Sequence, residues 1–303
     1  MIRDVVAFPD GSFACADDEL RNSFPPIRAR IRIFDDVYAE KANREIWQRT
    51  YKACTLIGHS DAVPQFRQLY TFVRELRADL GAGHKIIWDH DERLQICLAL
   101  SRLVHPTNIS CEYSARFYID EGRTDRVIPG PAKEFGSRAW ISNEHGRNWL
   151  SIDEAGELAR IVDAYYQSES RLPRRTKQAF WYLEYAFRTE FLDVRWPLIC
   201  IGLESLVHTD RSSSTRQFSR RVSQLANELD ICDFPSEKAK EVYETRCALA
   251  HGQLFRDLSP YNLDLYDLAE STLRLVLKKV ILDPDYAQRF VSEESIREAY
   301  PIG

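Results

Sequence analysis

The sequence contains no C-x-x-C pair, and its seven cysteines are an odd number. That argues against a zinc cluster built on thiolates and against a disulfide framework. Long apolar runs are missing too. The most hydrophobic stretch, WPLICIGL at 196–203, is far below the roughly 20 residues that cross a bilayer. The amino terminus, MIRDVVAFPDG, has no apolar core of the kind a signal peptide needs. Positive charge is not in excess: the net charge of −5 excludes a strongly basic protein. A local basic patch is still allowed, and local patches are what bind phosphates. No internal repeat or low-complexity tract occurs. These absences predict a protein of the reducing cytoplasm with no membrane partner.

What is present fits a globular chain: 303 residues, 44% apolar and 29% charged, a length that suggests two domains. The stretch PIRARIRIF (26–34) alternates strictly. Ile27, Ala29, Ile31 and Ile33 fall on one side, Arg28, Arg30 and Arg32 on the other, which predicts a strand with one solvated face. Helical patterns are expected over 39–57, 64–80 and 91–104, and strands over 111–120 and 137–142. Ser151 followed by Glu154 is a capping box that opens a helix running to Gln167.

The polar, basic stretch SESRLPRRT (168–176) contains Pro173 and marks a boundary. Beyond it strand signals stop. Helices are expected over 176–194, 197–208 with Pro197 in its first turn, 215–229, from a cap at Ser236 to Gly252, and 262–282. In the last, Leu265, Leu268, Ala269, Leu273, Val276 and Val280 form one apolar stripe. The expected fold class is therefore an α+β N-terminal domain, 1–170, followed by an all-α helical bundle, 171–303. The residues of the first domain assign it no target.

Chemistry centres on YETRCALAHGQLF, 243–255. An arginine and a following histidine with four to six residues between them occur three times: Arg77–His84, Arg138–His145 and Arg246–His251. With 32 arginines and 7 histidines in the chain, a random scatter gives about two such matches, so context must separate them. The first two run off a helix and a strand into polar turns. The third closes a capped helix inside the bundle. Five residues turn an ideal helix by about 140°, so Arg246 and His251 do not share a face. Either the helix ends near Ala250, as Gly252 favours, or the pair lines a cleft from two sides. Glu204 has Cys200, Ile201 and Val207 beside it on its own helix, and a carboxylate on such a face needs a partner. Arg246 is the natural candidate, and a plain core ion pair is the simplest reading.

Three ordered motifs carry a resemblance: RWPLICIGLESLV (195–207), TRQFSRRVSQLA (215–226) and YETRCALAHG (243–252). Together, over about 175–282, they resemble the Apea-like branch of the HEPN superfamily. Leu203-Glu204-Ser205-Leu206 matches its LE-x-L element, and Tyr243, Arg246, His251 and Gly252 match its Y-x-x-R-x-x-x-x-H-G. The resemblance implies a HEPN-type bundle, a homodimer with two arginine–histidine pairs facing across a cleft, and metal-independent endoribonuclease chemistry, in a bacterial defence or toxin system with a neutralising partner protein. Cys247 departs from the polar residue that often follows the arginine in active members. The alternative is a non-catalytic HEPN module that binds RNA or a protein partner or mediates dimerisation.

The residue types suit RNA cleavage. Histidine titrates near neutrality and can move a proton to or from the 2′-hydroxyl and the leaving oxygen. A guanidinium can fork two hydrogen bonds onto phosphate oxygens. His251 would be the general acid/base, Arg246 the phosphate clamp, Glu204 its orienting partner, and Tyr243 a cleft residue. No cofactor or metal is expected. His84, Asp89, His90 and Asp91 come nearest to a metal set, and a polar loop before a helix accounts for them. Residues 171–225 hold ten Lys or Arg against five Asp or Glu, a local charge of +5. Arg216, Arg220 and Arg221 would grip the RNA backbone. The aromatics at 180–191 spread around their helix, which assigns them to the core.

Overall fold

A computed structural model of the chain describes residues 2–9, 29–41, 48, 69–76, 85–106, 111–119, 127–137, 150–189, 191–210, 212–253 and 262–302. Two compact units divide it, Met1–Asp163 and Ala164–Gly303. The first holds an antiparallel sheet and the second is helical, so the α+β then all-α order stands. The division falls inside a helix, ahead of the 170/171 boundary expected from composition.

The sheet of the first unit has six strands: β1 (Ile2–Pro9), β2 (Ile31–Phe34), β3 (Val37–Lys41), β4 (Leu69–Leu76), β5 (Cys111–Ile119) and β6 (Val127–Ser137). Their order is β2-β3-β4-β1-β5-β6. β1 pairs antiparallel with β4, from Ile2 opposite Leu76 to Pro9 opposite Leu69, and with β5, from Ile2 opposite Tyr118 to Val6 opposite Ser114. In β2 the expected alternation appears: Ile33 is buried and Arg32 exposed, while 26–28 lie outside the described residues. Arg30 lies 3.8 Å from the Tyr38 ring and 3.4 Å from Glu40, and Arg32 pairs with Asp35 at 3.5 Å. The described arginines of this strand are therefore held by the hairpin itself.

Three expectations need correction. Strand β3 takes the first three residues of the helix placed at 39–57, of which Gln48, helical, is the only other described residue, and strand β4 lies within the helix placed at 64–80. Tyr70, Thr71, Phe72 and Val73 suit a pleated surface, and pairing on both sides of β4 outweighs local helical periodicity. The strand at 137–142 begins instead at Val127, with 138–142 outside the described residues. Pro129 and Pro131 mask it, and such prolines are tolerated because β6 is an edge strand. Finally, helix α1 spans Lys85–Val104, so Asp89, His90 and Asp91 are helical rather than in a loop; His84 lies outside the described residues. From Leu94 to Val104 nearly every α1 side chain is buried, the mark of an interior helix.

Helix α2 (Ile152–Ser168) opens on the capping box. The Ser151 amide donates to Glu154 Oε2 at 2.8 Å, and the Glu154 amide donates to Ser151 Oγ at 3.3 Å.

The second unit contains α3 (Arg174–Arg188), α4 (Leu192–Val207), α5 (Ser214–Glu228), α6 (Ser236–Ala250), α7 (Asn262–Leu282), α8 (Pro284–Gln288) and α9 (Glu293–Ala299). α3 packs along α4, α5 packs on α6, and α7 touches α3, α4, α5 and α6. Five of the six stripe residues of α7 are buried, and Leu268 is half-buried. Gly202 of α4 leaves room for α7, since a Cβ there would stand 2.6 Å from Leu273 Cδ2. The helix expected over 176–194 stops at Arg188, and α4 takes up 192–194. The Phe191 carbonyl accepts from the amides of Val194 and Arg195, both at 3.0 Å. Pro197 thus sits inside α4 rather than in its first turn. Ser236 is the first helical residue of α6 and not its cap; Pro235 holds that place. α8 and α9 were not expected, although Asp283 ahead of Pro284 and Ser292 ahead of Ser295 are recognisable caps.

The aromatic stretch is also corrected. Phe180 and Phe187 are buried, but Trp181, Tyr185 and Phe191 are exposed. α3 buries one face only, formed by Thr176, Ala179, Phe180, Leu183, Glu184, Ala186 and Phe187.

Candidate functional site

The site grows from two helices in register. On α4, Trp196, Cys200 and Glu204 recur every fourth residue, so they share a face. On α6, Val242 and Arg246 do the same. Trp196 Nε1 donates to the Val242 carbonyl at 3.0 Å, and Cys200 Sγ donates to the same oxygen at 3.7 Å. One turn on, Arg246 Nη2 donates to Glu204 Oε2 at 3.3 Å. The carboxylate and its partner found each other as their surroundings required. Burial pushes the Cys200 thiol far up, with the neighbouring Glu204 charge adding to it, so this cysteine is a neutral packing residue.

Arg246 is gripped from several sides. Its Nη1 lies 3.9 Å from Cys247 Sγ, and its guanidinium carbon lies 5.5 Å from the centre of the Tyr243 ring. Burial opposes its charge, yet Glu204, Cys247 and Tyr243 outweigh that and raise its pKa above the ordinary guanidinium value. Its side chain is 28% exposed and that of Glu204 19%. The group is held but not sealed. Tyr243 is buried, tilted against Phe218 of α5 with ring centres 5.0 Å apart. Burial raises its pKa, against a hydrogen bond with Ser214. Tyr243 therefore ties the first turns of α5 to the arginine.

His251 stands where α6 ends. Gly252 adopts φ +91°, the left-handed region that glycine occupies without strain. The Gly252 amide donates to the Leu249 carbonyl at 3.0 Å, and the Gln253 amide to the Ala248 carbonyl at 3.1 Å. This bond pair is a Schellman motif with glycine at its usual place. The helix thus ends at Ala250, the first of the two geometries the sequence allowed, and His251 becomes the C-cap. Its side chain is exposed. Among the described residues nothing joins the imidazole to the Arg246 guanidinium.

The three basic residues of α5 separate. Arg216 is exposed and Arg220 half-buried. Arg221 is buried, which removes it from any RNA-facing surface. Its Nε donates to the Tyr300 carbonyl at 3.2 Å, and its Nη1 to the carbonyls of Val207, at 3.0 Å, and His208. One position along a helix is a turn of about 100°, enough to move a side chain from the surface to the core.

Sequence reasoning overlooked Trp196, Ser214 and Phe218. The four-residue spacing of Trp196 and Cys200 to Glu204 was the available signal. No group of three or more His, Cys, Asp or Glu among the described residues is arranged to hold a metal, and no described helix is long and apolar enough to cross a membrane. No family model, characterised protein or solved structure matches this chain.

Proposed function

We propose that the helical unit is a HEPN-type, metal-independent endoribonuclease that works as a homodimer. One observation carries this reading. A guanidinium anchored at 3.3 Å by Glu204 keeps 28% of its side chain exposed, five residues before an exposed histidine at the end of the same helix. Arg246 would hold the scissile phosphate and offset the charge that builds on its oxygens. His251 would take the 2′-hydroxyl proton, and the second copy's His251 would protonate the 5′-oxygen as its bond to phosphorus breaks. Arg216 and Arg220 would hold the strand beside the cleft. A defence or toxin role with a neutralising partner rests on the family resemblance alone.

The test is incubation of the full chain with labelled RNA and a chelator. Cutting by wild type, abolished in folded Arg246→Ala and His251→Ala variants, is the expected result. No cutting by wild type, or cutting that persists in both variants, overturns the reading. The second reading, a non-catalytic module, is favoured by the Cys247 sulfur beside the guanidinium. RNA binding that survives both substitutions without any cleavage supports it. Loss of oligomer on surface mutation with RNA affinity unchanged would point to dimerisation alone.

A further inference from the structure

The face of α3 opposite its buried one carries Arg174, Gln178, Trp181, Tyr185 and Arg188. At 100° per residue these five fall within an arc of about 80°. Trp181 is 39% exposed and Tyr185 54%, unusual values for two large rings one helical turn apart. Phe191, 66% exposed, follows in the turn to α4. The rings are not loose. The Trp181 ring stands edge-on to buried Phe180, with centres 5.4 Å apart and planes at 65°.

Along α3 the surface charge beside Trp181 and Tyr185 is of one sign, and apart from Glu184 the nearest carboxylates in the sequence lie outside it, at Glu169, Glu190 and Asp193. Residues 171–189 contain five cations, Arg171, Arg174, Arg175, Lys177 and Arg188, and one carboxylate, Glu184. Glu184 is buried and bound to Arg188 Nε at 2.8 Å. No described carboxylate of this segment reaches the surface. A protein partner with an apolar face would have no use for that uniform charge. A polyanion with flat apolar faces would use both features.

We infer that this face of α3 is a stacking platform for single-stranded RNA, with unpaired bases on Trp181 and Tyr185 and backbone phosphates against Arg174 and Lys177. The two ring positions are separated by about 6 Å along the helix axis, close to the spacing of neighbouring nucleotides in an extended strand. Duplex RNA hides its base faces and cannot use the platform. The inference rests on the reading of this unit as one that acts on RNA, and it names the form of the substrate: an unpaired strand.

The test separates the two ideas by using a strand that cannot be cut. A fluorescent 2′-O-methyl oligouridine of roughly twelve nucleotides has no free 2′-hydroxyl, so its binding to the full chain is independent of cleavage. Wild type should bind it, more weakly as salt rises, and should bind the same strand annealed to its complement at least tenfold more weakly. Trp181→Ala and Tyr185→Ala should each lose about tenfold in affinity, whereas Trp181→Phe, which keeps a ring, should stay close to wild type. Equal binding of duplex and single strand overturns the proposal. So does unchanged affinity in both alanine variants. A change in sedimenting mass in those variants, with RNA affinity intact, would make the face a protein interface instead. Failure to cleave ordinary RNA while this binding holds sinks the nuclease reading and leaves the platform standing.

Discussion

The Glu204–Arg246 pair allows a quantitative test. At 3.3 Å and an effective dielectric of about 20, the Coulomb attraction is about 5 kcal/mol. Taking both groups out of water offsets most of that. The side chains are 28% and 19% exposed, between a surface pair worth under about 1 kcal/mol and a buried one. A net coupling of about 1–2 kcal/mol is expected, in line with a hydrogen bond between charged groups. The perturbation is Glu204→Gln, Arg246→Met and the double variant, followed by urea unfolding. Each single change leaves one partly buried charge without its counterion and should cost about 2 kcal/mol. The double variant should cost less than the sum by the coupling energy. A coupling below about 0.3 kcal/mol, within the scatter of independent sites, would refute the claim that Glu204 holds the guanidinium. The catalytic proposal would then lose its positioning residue.

Two further outcomes follow from the packing and the tyrosines. Gly202→Ala gains about 1 kcal/mol of helix propensity, but its Cβ would meet Leu273 Cδ2 at 2.6 Å, an overpacking that costs about 1–3 kcal/mol in a closed core. A net loss is expected in thermal unfolding, and the same change made in a Leu273→Ala background, where its Cβ has room, should cost nothing further; a stabilised Gly202→Ala would show that α4 and α7 part freely. Burial pushes Tyr300 up from 10.0 to about 12, with the Glu228 charge assisting and hydrogen bonds to Tyr286 and Arg289 opposing. A raised folded pKa means stability fully present below pH 10 and lost as pH climbs towards 12. Tyr300→Phe should flatten that alkaline loss in unfolding curves, and an unchanged slope would count against the buried phenol.

Legibility in the sequence followed the range of the forces involved. Ser151 and Glu154 announce α2 within four residues, because a capping box is a local bond pair. α7 shows its limits, 262–282, through a stripe long enough to average out single residues. β4 is the reverse case. LYTFVREL was expected to be helical, and only its two neighbours, remote in sequence, make it a strand. At the site, the need of Glu204 for a cation was readable from its apolar neighbours. The sharing of the Val242 carbonyl by Trp196 and Cys200 was not, since it depends on the register of α4 against α6. Arg221 shows how little separates the outcomes: Arg220 beside it stays partly in solvent, while Arg221 ends among carbonyl oxygens.

The doubly engaged Val242 carbonyl divides α6 into two dynamic regimes. Its middle turns are stapled to α4 and can open only when the bundle does. Its final turn keeps Leu249 buried and closes on the Schellman bonds, while the His251 ring beyond it is exposed, and an exposed side chain changes rotamer in picoseconds to nanoseconds. Arg246 is thus held in a fixed attitude by Glu204, while the exposed His251 ring five residues on is free to change its own.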